Sequence, residues 1–267
     1  MKNFSALRFD IALDVARDLA REAGLRCLEL QSSLGKVKYK TPRDVVTIAD
    51  LESERIIVEG LKKAFPTHRI RTEEAGRLGG DESRYVWIID PVDGTVNFSR
   101  GMPLWGISIA LMEEGKPVVA VVFLPALGEM YTAVKGEGSF MNGNPIHVSA
   151  TDSLEKAIVS NGDFNVGDWS KINTQNLHNF GREAEFCTRV KCLGSAVIEG
   201  TFVAAGRLDI FVMTMSYPWD IAGIALLIME AGGKASELSG SELKFVDGEQ
   251  VLFSNGILHS LAIDMLK

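Results

Sequence analysis

Apolar residues recur at helical spacing near the start of the chain. Phe9, Leu13 and Ala16 lie three or four positions apart among charged residues, and this spacing predicts an amphipathic helix from Ala6 to Gln31. The stretch that follows, residues 35–43, is basic and contains a proline. We expect it to form a loop, because proline and glycine interrupt regular structure.

Short apolar runs bounded by turn residues come next. Segments that contain Gly or Pro join them, such as the Glu-Gly-Lys step at 114–116, and this arrangement predicts an antiparallel meander of strands. The elements predicted in this half are a helix at Ala49–Phe65 that Pro66 ends, a short strand or turn at Ile70–Gly76, and strands at Val86–Asp90, Trp105–Met112, Val118–Phe123 and Glu129–Val134.

Beyond the Asn-Gly-Asn turn at 142–144, strands and helices alternate. The elements predicted there are strands at Ala157–Asn161, Asp209–Val212 and Gln250–Ser254, and helices at Trp169–Phe180, Ser195–Ala205 and Asp220–Ala231. The first half carries helices on an antiparallel sheet, and the second half alternates helices and strands. This arrangement indicates a layered α/β protein. No linker of biased composition is visible, so we predict a single domain over residues 1–267 with two lobes, about 1–145 and about 146–267.

The charge balance and the cysteines narrow the functional class. A net charge of −7 makes a general nucleic-acid-binding surface unexpected. Three cysteines without a Cys-x-x-Cys pair are typical of a reduced cytosolic setting. The longest apolar runs are too short to span a bilayer, and the N-terminus lacks an uncharged signal segment. We therefore expect a cytoplasmic protein with neither membrane nor nucleic-acid partners.

The segment from Trp87 to Phe98, WIIDPVDGTVNF, carries the most informative chemistry. An apolar strand leads into Asp90 and Asp93, and carboxylates at a strand end can collect a hard cation such as Mg²⁺. A Gly-Thr step follows, whose free backbone N–H groups suit a phosphate oxygen. A cation and a phosphate that meet in so short a segment indicate metal-dependent phosphoryl chemistry.

Three further acidic segments could complete such a site. They are Glu73-Glu74, Trp219-Asp220 at the start of an apolar helix, and the segment Asp44–Asp50. Each feature has a structural alternative. Asp90 can form a strand-end turn, Asp220 can cap its helix, and Asp44 or Thr47 can cap the helix near Ala49. Glu74 fits a surface position or a supporting one better than a ligand position.

The Gly-Glu-Gly stretch at 136–138 is a weaker motif. It follows a hairpin strand and lacks the G-x-G-x-x-G spacing of nucleotide loops, so we expect a plain turn. The sequence holds no cofactor fingerprint of a redox enzyme and no His or Cys nucleophile with a plausible partner. Direct attack by water is therefore favoured over a covalent intermediate.

Taken together, these segments resemble the inositol monophosphatase family of magnesium-dependent, lithium-sensitive phosphatases. The family signatures D-P-[IL]-D-G-T-x-N-F, W-D-x-A-[AG]-G, an E-E step and D-x-V-T-x-x-D find matches between Asp44 and Gly233, in matching order and spacing. The resemblance implies the layered αβαβα sandwich of the inositol monophosphatase and fructose-bisphosphatase type. It also implies two or three Mg²⁺ ions per active site, a homodimer, and hydrolysis of inositol monophosphate or a related sugar or polyol phosphate.

The resemblance further assigns roles to single residues. Glu73, Asp90 and the carbonyl of Val92 would hold one ion, and Asp90, Asp93 and Asp220 the second. Glu73 would also act in catalysis and help to seat a third ion, and Asp93 and Asp220 would also contact the substrate. Asp44 and Thr95 would pair to orient and deprotonate the attacking water, and the N–H groups of Gly94 and Thr95 would cradle the phosphate.

Substrate choice depends on a second set of residues. The family binds the alcohol half of its substrate with a Gly-Ser/Thr-Ala turn, which Gly194, Ser195 and Ala196 match, and with an acidic residue seven positions before the W-D aspartate. Here that position is Met213, whose thioether is a poor acceptor for sugar hydroxyls. Asp209 and Thr214 are nearby polar candidates, with a structural role at the strand edge as the alternative.

The substrate is therefore left open by the sequence. Histidinol phosphate, fructose 1,6-bisphosphate and other sugar phosphates are alternatives to inositol monophosphate. The Asn-Phe pair at 97–98 counts against a nucleotidase for 3′-phosphoadenosine 5′-phosphate, because such relatives typically carry a lysine there. A regulatory or binding protein that keeps the fold is the alternative from another class, since some bacterial relatives assist transcription complexes. The complete set of acidic ligands favours the enzyme.

Overall fold

The structure, a computed structural model, describes residues 4–33, 37–41, 44–79, 83–164 and 169–267. Within these ranges the side chains of residues 4–8, 39–41, 44 and 169 lie outside the description. The helices are α1 (Phe4–Ser32), α2 (Ile48–Ala64), α3 (Thr95–Ser99), α4 (Trp169–Phe186), α5 (Ala196–Ala204), α6 (Pro218–Glu230) and α7 (His259–Met265). The strands are β1 (Lys38–Thr41), β2 (Asp44–Val46), β3 (Arg69–Thr72), β4 (Gly76–Leu78), β5 (Tyr85–Asp93), β6 (Gly106–Glu113), β7 (Lys116–Leu124), β8 (Glu129–Val134), β9 (Gly138–Met141), β10 (Asn144–Pro145), β11 (Ile158–Asn161), β12 (Arg189–Lys191), β13 (Ile210–Ser216), β14 (Lys234–Glu237) and β15 (Glu249–Ser254).

The first sheet has eight strands in the order β10-β9-β8-β7-β6-β5-β3-β4. Strands β5 to β10 form an antiparallel meander, as the turn pattern predicts, and β3 joins β5 in parallel. Helices α1 and α2 pack on one face, where Ile57 and Leu61 meet Trp87 and Ile109 in one apolar cluster. Helix α6 covers the opposite face.

The second sheet has five strands in the order β12-β11-β13-β15-β14. Strand β11 runs parallel to β12 and β13, and β15 runs antiparallel to β13 and β14. Helices α5 and α6 lie between the two sheets, and α4 and α7 cover the outer face of the second sheet. The layers are therefore α, β, α, β and α, and the predicted fold class is confirmed.

Several elements differ from the sequence-based expectation. Residues 38–41, which lie in the predicted loop at 35–43, form a strand that pairs antiparallel with residues 44–46, and α4 continues to Phe186 rather than ending near Phe180. Strand β14 and helix α7 were not predicted. Strand β14 has only four residues and gains its hydrogen bonds from β15, a long-range contact that periodicity does not report.

The boundary between two lobes near residue 145 stays a prediction. Across the described ranges, no helix carries an apolar stretch that would reach across a lipid bilayer.

Candidate active site

Three aspartates meet where the end of β5 faces the start of α6. Side chains alternate along β5, so Ile88 and Asp90 lie on the face that α6 covers, and Ile88 packs there with Ala222. Asp220 lies in the first turn of the same helix and meets the end of β5. One carboxylate oxygen from each of Asp90, Asp93 and Asp220 lies within 4.8 Å of the other two. None of the three residues is more than 9% exposed.

Burial and mutual repulsion make the charged forms of these aspartates costly. Burial, with the charges of Glu73, Asp93 and Asp220, raises the pKa of the Asp90 carboxyl well above its ordinary value. Burial raises the pKa of Asp93 to about 6, although a hydrogen bond from Ser195 acts in the opposite direction. Burial and the charge of Asp93 also raise the pKa of Asp220. A cation among the three carboxylates would relieve this repulsion.

The chemistry of this donor set fits a hard divalent cation. All of its ligand atoms are carboxylate oxygens, and within the described ranges no Lys or Arg forms an ion pair with any of the three aspartates. Mg²⁺ prefers such oxygens and completes its coordination with water and substrate oxygens. The residues present therefore fit the predicted magnesium site.

Glu73 lies beside the three aspartates rather than among the atoms within 4.8 Å. It occupies the half-buried turn between β3 and β4, and its charge contributes to the raised pKa of two of the aspartates. Glu54 on α2, which the sequence reasoning missed, anchors this turn. Its Oε1 accepts hydrogen bonds from Thr72 Oγ1 at 2.5 Å and from the N–H groups of residues 74 and 75 at 3.2 and 3.1 Å.

Gly94 and Thr95 form the start of α3, directly after Asp93. Gly94 has a φ of +83°, and a Cβ there would lie 2.9 Å from the carbonyl oxygen of Leu104, so conformation and space both require glycine. Thr95 Oγ1 lies 2.8 Å from the carbonyl oxygen of Val92 and 3.0 Å from Asp50 Oδ1. Its single proton can be donated to only one of them at a time.

Asp50 is the partner that the structure gives Thr95. The predicted partner was Asp44, whose side chain lies outside the described residues, so that pairing stays a prediction. Asp50 is fully buried, and its Oδ2 accepts from the N–H of Thr47 at 2.8 Å and from its hydroxyl at 2.6 Å. Thr47 caps α2, as its structural alternative predicts, and burial raises the pKa of Asp50. Asp50 ends the D-x-V-T-x-x-D segment, so the sequence did carry a signal for it.

The predicted substrate turn, residues 194–196, contacts a predicted metal ligand directly. Ser195 Oγ donates a hydrogen bond to Asp93 Oδ2, and the N–H of Val197 donates to the same oxygen at 3.1 Å. Ser195 also caps α5 by accepting from the N–H of Ile198 at 3.3 Å. Two donors at the start of α5 thus bind the same oxygen of Asp93.

Asn97 ties the substrate turn to the opening motif. Its Nδ2, which carries two protons, lies within hydrogen-bond distance of three carbonyl oxygens, those of Leu193 at 2.7 Å, Leu104 at 2.8 Å and Gly194 at 3.2 Å. Gly194 has a φ of +74°, and a Cβ there would lie 3.1 Å from the Asn97 amide. The sequence marks Asn97 as part of the family signature and as evidence against a nucleotidase, but its contacts with residues 193 and 194 could not be read from its position.

Met213 lies in the middle of β13 and is half-buried. A Cβ on Gly162 would lie 3.1 Å from Met213 Cγ, so the two residues are packed closely. The polar candidates nearby have structural partners. Asp209 accepts from a backbone N–H of β11 at 2.7 Å, and the Thr214 hydroxyl donates to Asn176 on α4. Both side chains thus hold neighbouring elements together, which agrees with the structural alternative to a role in substrate binding.

The Gly-Glu-Gly stretch at 136–138 is a turn, as predicted. Glu230, at the end of α6, accepts hydrogen bonds from the N–H groups of Gly136 at 2.8 Å and Gly138 at 3.0 Å. These two N–H groups, which a nucleotide loop would direct toward phosphate, are thus bound to a carboxylate of the chain itself.

Comparison with known proteins gives the family. The model of the inositol monophosphatase family matches residues 10–266. A Thermotoga maritima protein named fructose-1,6-bisphosphatase/inositol-1-monophosphatase is 36% identical over 255 residues, which cover 95% of each chain. The protein named Nus factor SuhB in Pseudomonas aeruginosa is 37% identical over 249 residues, which cover 91% of each chain.

Solved structures give the same result. The Thermotoga maritima IMPase superposes with a TM-score of 0.86 at 35% identity, and 96% of each chain is covered. An IMPase/NADP phosphatase complexed with Mg²⁺ and phosphate superposes with a TM-score of 0.80 at 26% identity, covering 92% of this chain and 90% of that one. Sequence and fold agree along nearly the whole length. The chain therefore belongs to the inositol monophosphatase family and is a phosphoric monoester hydrolase.

Proposed function

We propose that this phosphatase is Mg²⁺-dependent and hydrolyses inositol monophosphate or a related sugar or polyol phosphate. The observation that carries the proposal is the group of three buried aspartates with oxygens within 4.8 Å of one another. Such a group repels itself and attracts a divalent cation. The Mg²⁺ and phosphate bound by a structural relative support the same choice of ion.

Two Mg²⁺ ions would be held by Asp90, Asp93, Asp220 and the carbonyl of Val92, and Glu73 would complete the first site and help to seat a third ion. When bound, Mg²⁺ lowers the pKa of the attacking water and offsets charge on the departing oxygen. The Val92 carbonyl also accepts from Thr95, and its two lone pairs allow both roles.

The chain itself would hold the phosphate and orient the water. The N–H groups of Gly94 and Thr95 would donate to phosphate oxygens. Because the Thr95 proton is donated to Asp50 or to Val92, the hydroxyl lone pairs are left to accept from a water and fix its position. Asp50, with its raised pKa, or the predicted partner Asp44 would then receive a proton through Thr95.

The alcohol half of the substrate would lie against Gly194, Ser195 and Ala196, with Asp93 and Asp220 also in contact and Met213 nearby. The Met213 thioether is a poor acceptor for hydroxyl groups, so discrimination among polyols is expected to be weak. The name of the Thermotoga relative supports inositol monophosphate and fructose 1,6-bisphosphate as the first esters to test.

A phosphate-release assay on a panel of esters tests this function. The panel contains inositol 1-phosphate, fructose 1,6-bisphosphate and histidinol phosphate, each with Mg²⁺ and with EDTA. We expect release from at least one ester with Mg²⁺, none with EDTA, and inhibition by Li⁺. Absence of release from every ester in Mg²⁺ would overturn the substrate class.

A second candidate function, regulation of transcription complexes, is supported by the name Nus factor SuhB that relatives in Pseudomonas aeruginosa and Escherichia coli carry. A variant without phosphatase activity that still supports transcription in cells would establish a regulatory role.

We also propose a cytoplasmic homodimer that does not bind nucleic acid. Light scattering gives the mass in solution, and a gel-shift assay with RNA tests whether the protein binds nucleic acid.

A further inference from the structure

Glu199 is a buried carboxylate in an otherwise apolar helix. Helix α5 reads AVIEGTFVA, and Glu199 is 1% exposed. An uncompensated carboxylate is costly in such a place, and burial raises the pKa of Glu199 to about 8. No role in the proposed reaction requires this residue, so its burial calls for another explanation.

The Glu199 carboxylate binds the segment that leads into the substrate turn. Its Oε1 accepts from the N–H of Leu193 at 2.8 Å and from Ser160 Oγ at 2.7 Å. Asn97 holds the same segment from the other side through the carbonyl oxygens of Leu193 and Gly194, at 2.7 and 3.2 Å. The N–H of Leu193 and the C=O groups of Leu193 and Gly194 are thus held by two side chains that are themselves buried.

The segment 193–195 leads directly into the groups that orient the Asp93 carboxylate. Ser195 Oγ and the N–H of Val197 both bind Oδ2 of Asp93. If the turn keeps its place, these donors fix the orientation of the Asp93 carboxylate, one oxygen of which lies within 4.8 Å of oxygens of Asp90 and Asp220. If the turn shifts, Asp93 loses two donors and can rotate about its side-chain bonds.

We propose that Glu199 is a positioning residue that, opposite Asn97, holds the turn at 193–195 so that Asp93 keeps one oxygen directed at the cation site. Glu199 contacts neither substrate nor ion and acts through Leu193, Ser195 and Asp93. The inference rests on the proposed function for its effect on turnover, and it extends to cation binding by the resting protein.

The test compares Glu199→Leu with Glu199→Gln. Leucine removes the acceptor, whereas glutamine keeps an oxygen that can accept from Leu193 N–H. We expect Glu199→Leu to weaken Mg²⁺ binding in calorimetry about tenfold and to lower kcat about 10- to 100-fold, as supporting residues of metal sites commonly do. Glu199→Gln should restore both to within about twofold.

Two controls separate positioning from stability. Val203 lies on the same helix and is fully buried. Val203→Ala removes buried volume there and should lower the melting temperature without changing Mg²⁺ affinity. Ser160→Ala removes the other donor to Glu199 and leaves the Leu193 contact in place, so Mg²⁺ affinity should be kept. If Glu199→Leu does not fold, Glu199→Asp, which is one methylene shorter, serves in its place with an effect in the same direction.

Wild-type Mg²⁺ affinity in folded Glu199→Leu or Glu199→Asp would overturn the proposal, as would an equal loss in Ser160→Ala or Val203→Ala. Failure of the proposed function gives a different result. In that case the wild type releases no phosphate from any ester, while calorimetry still reports whether Glu199 affects Mg²⁺ binding.

Discussion

Two regions of this molecule bury carboxylates, and they do so in opposite ways. Where β5 meets α6, Asp90, Asp93 and Asp220 bring their oxygens within 4.8 Å of one another. Where β11 meets α4, Glu183 is fully buried, and both of its oxygens accept from Asn161 Nδ2, at 3.0 and 3.2 Å. One region gathers negative charge, and the other gives a single carboxyl an amide partner.

The difference shows that burial alone does not make an ion site. Burial raises the pKa of Glu183 to about 7, so a proton neutralises it near physiological pH. In the aspartate group, burial acts together with the charges of neighbouring carboxylates, and a divalent cation neutralises several groups at once. Repulsion between close carboxylates is therefore the feature that marks the cation site.

The largest expected effect comes from removing one carboxylate from the aspartate group. Asp220→Asn or Asp93→Asn should lower kcat/KM at least about 100-fold, because a cation ligand is lost. Asp264→Asn, at a surface ion pair with Lys267, is the control and should stay within twofold. Steady-state phosphate release with circular dichroism to verify folding provides the measurement, and an unchanged rate in either active-site variant would refute the role of the group.

Mg²⁺ should stabilise the folded protein through the same group. At a concentration of 100 times Kd, binding adds about 2.7 kcal/mol to the free energy of unfolding, which corresponds to a rise of about 5–10 °C in Tm for a chain of this size. Asp90→Asn should melt higher than the wild type in EDTA, because repulsion is relieved, and should gain less from Mg²⁺. Equal gains in both proteins by scanning calorimetry would contradict this prediction.

Glu183 should instead make the free energy of unfolding depend on pH. Its folded pKa of about 7 lies above the ordinary value of 4.5, so the folded state retains a proton that the unfolded state releases. The stabilisation is present below pH 4.5 and is lost as pH rises through 7, by about 3 kcal/mol in total. Glu183→Gln should flatten the pH dependence of urea unfolding in EDTA over this interval. An identical slope in the wild type and the variant would show that Glu183 ionises as an ordinary glutamate.

The smallest effect concerns Met213, which lies in the middle of β13. Met213→Glu would restore the acidic residue that the family resemblance implies at this position, and should raise kcat/KM for inositol 1-phosphate about tenfold relative to a phosphate ester without ring hydroxyls. Met213→Leu keeps an apolar side chain and should leave this ratio unchanged. A strong preference for inositol 1-phosphate in the wild type would mean that the missing acceptor at Met213 matters little.

The elements that the sequence predicts well are those whose own residues carry a full hydrophobic pattern. Helices α1, α2, α5 and α6 and the meander β5–β8 lie within a few residues of their predicted positions, because each shows helical periodicity or a continuous apolar run bounded by turn residues. The hairpin β1–β2 and strand β14 were missed because partner strands, rather than an internal pattern, stabilise them.

The sequence by itself determined the chemistry of the site. The spacing of Asp90 and Asp93, the Gly-Thr step and the W-D start of α6 are local features, and α6 covers the face of β5 that carries Asp90, so the acidic residues meet as expected. Only the tertiary structure decided which side chains hold them in place. Asp50 at Thr95, Glu54 under the Glu73 turn, and Asn97 and Glu199 around Leu193 act across distances of up to 96 positions in the chain. Their partners are mostly backbone groups or hydroxyls, which leave no residue-type pattern in a sequence, and a hydrogen bond between distant segments exists only once the layers have packed.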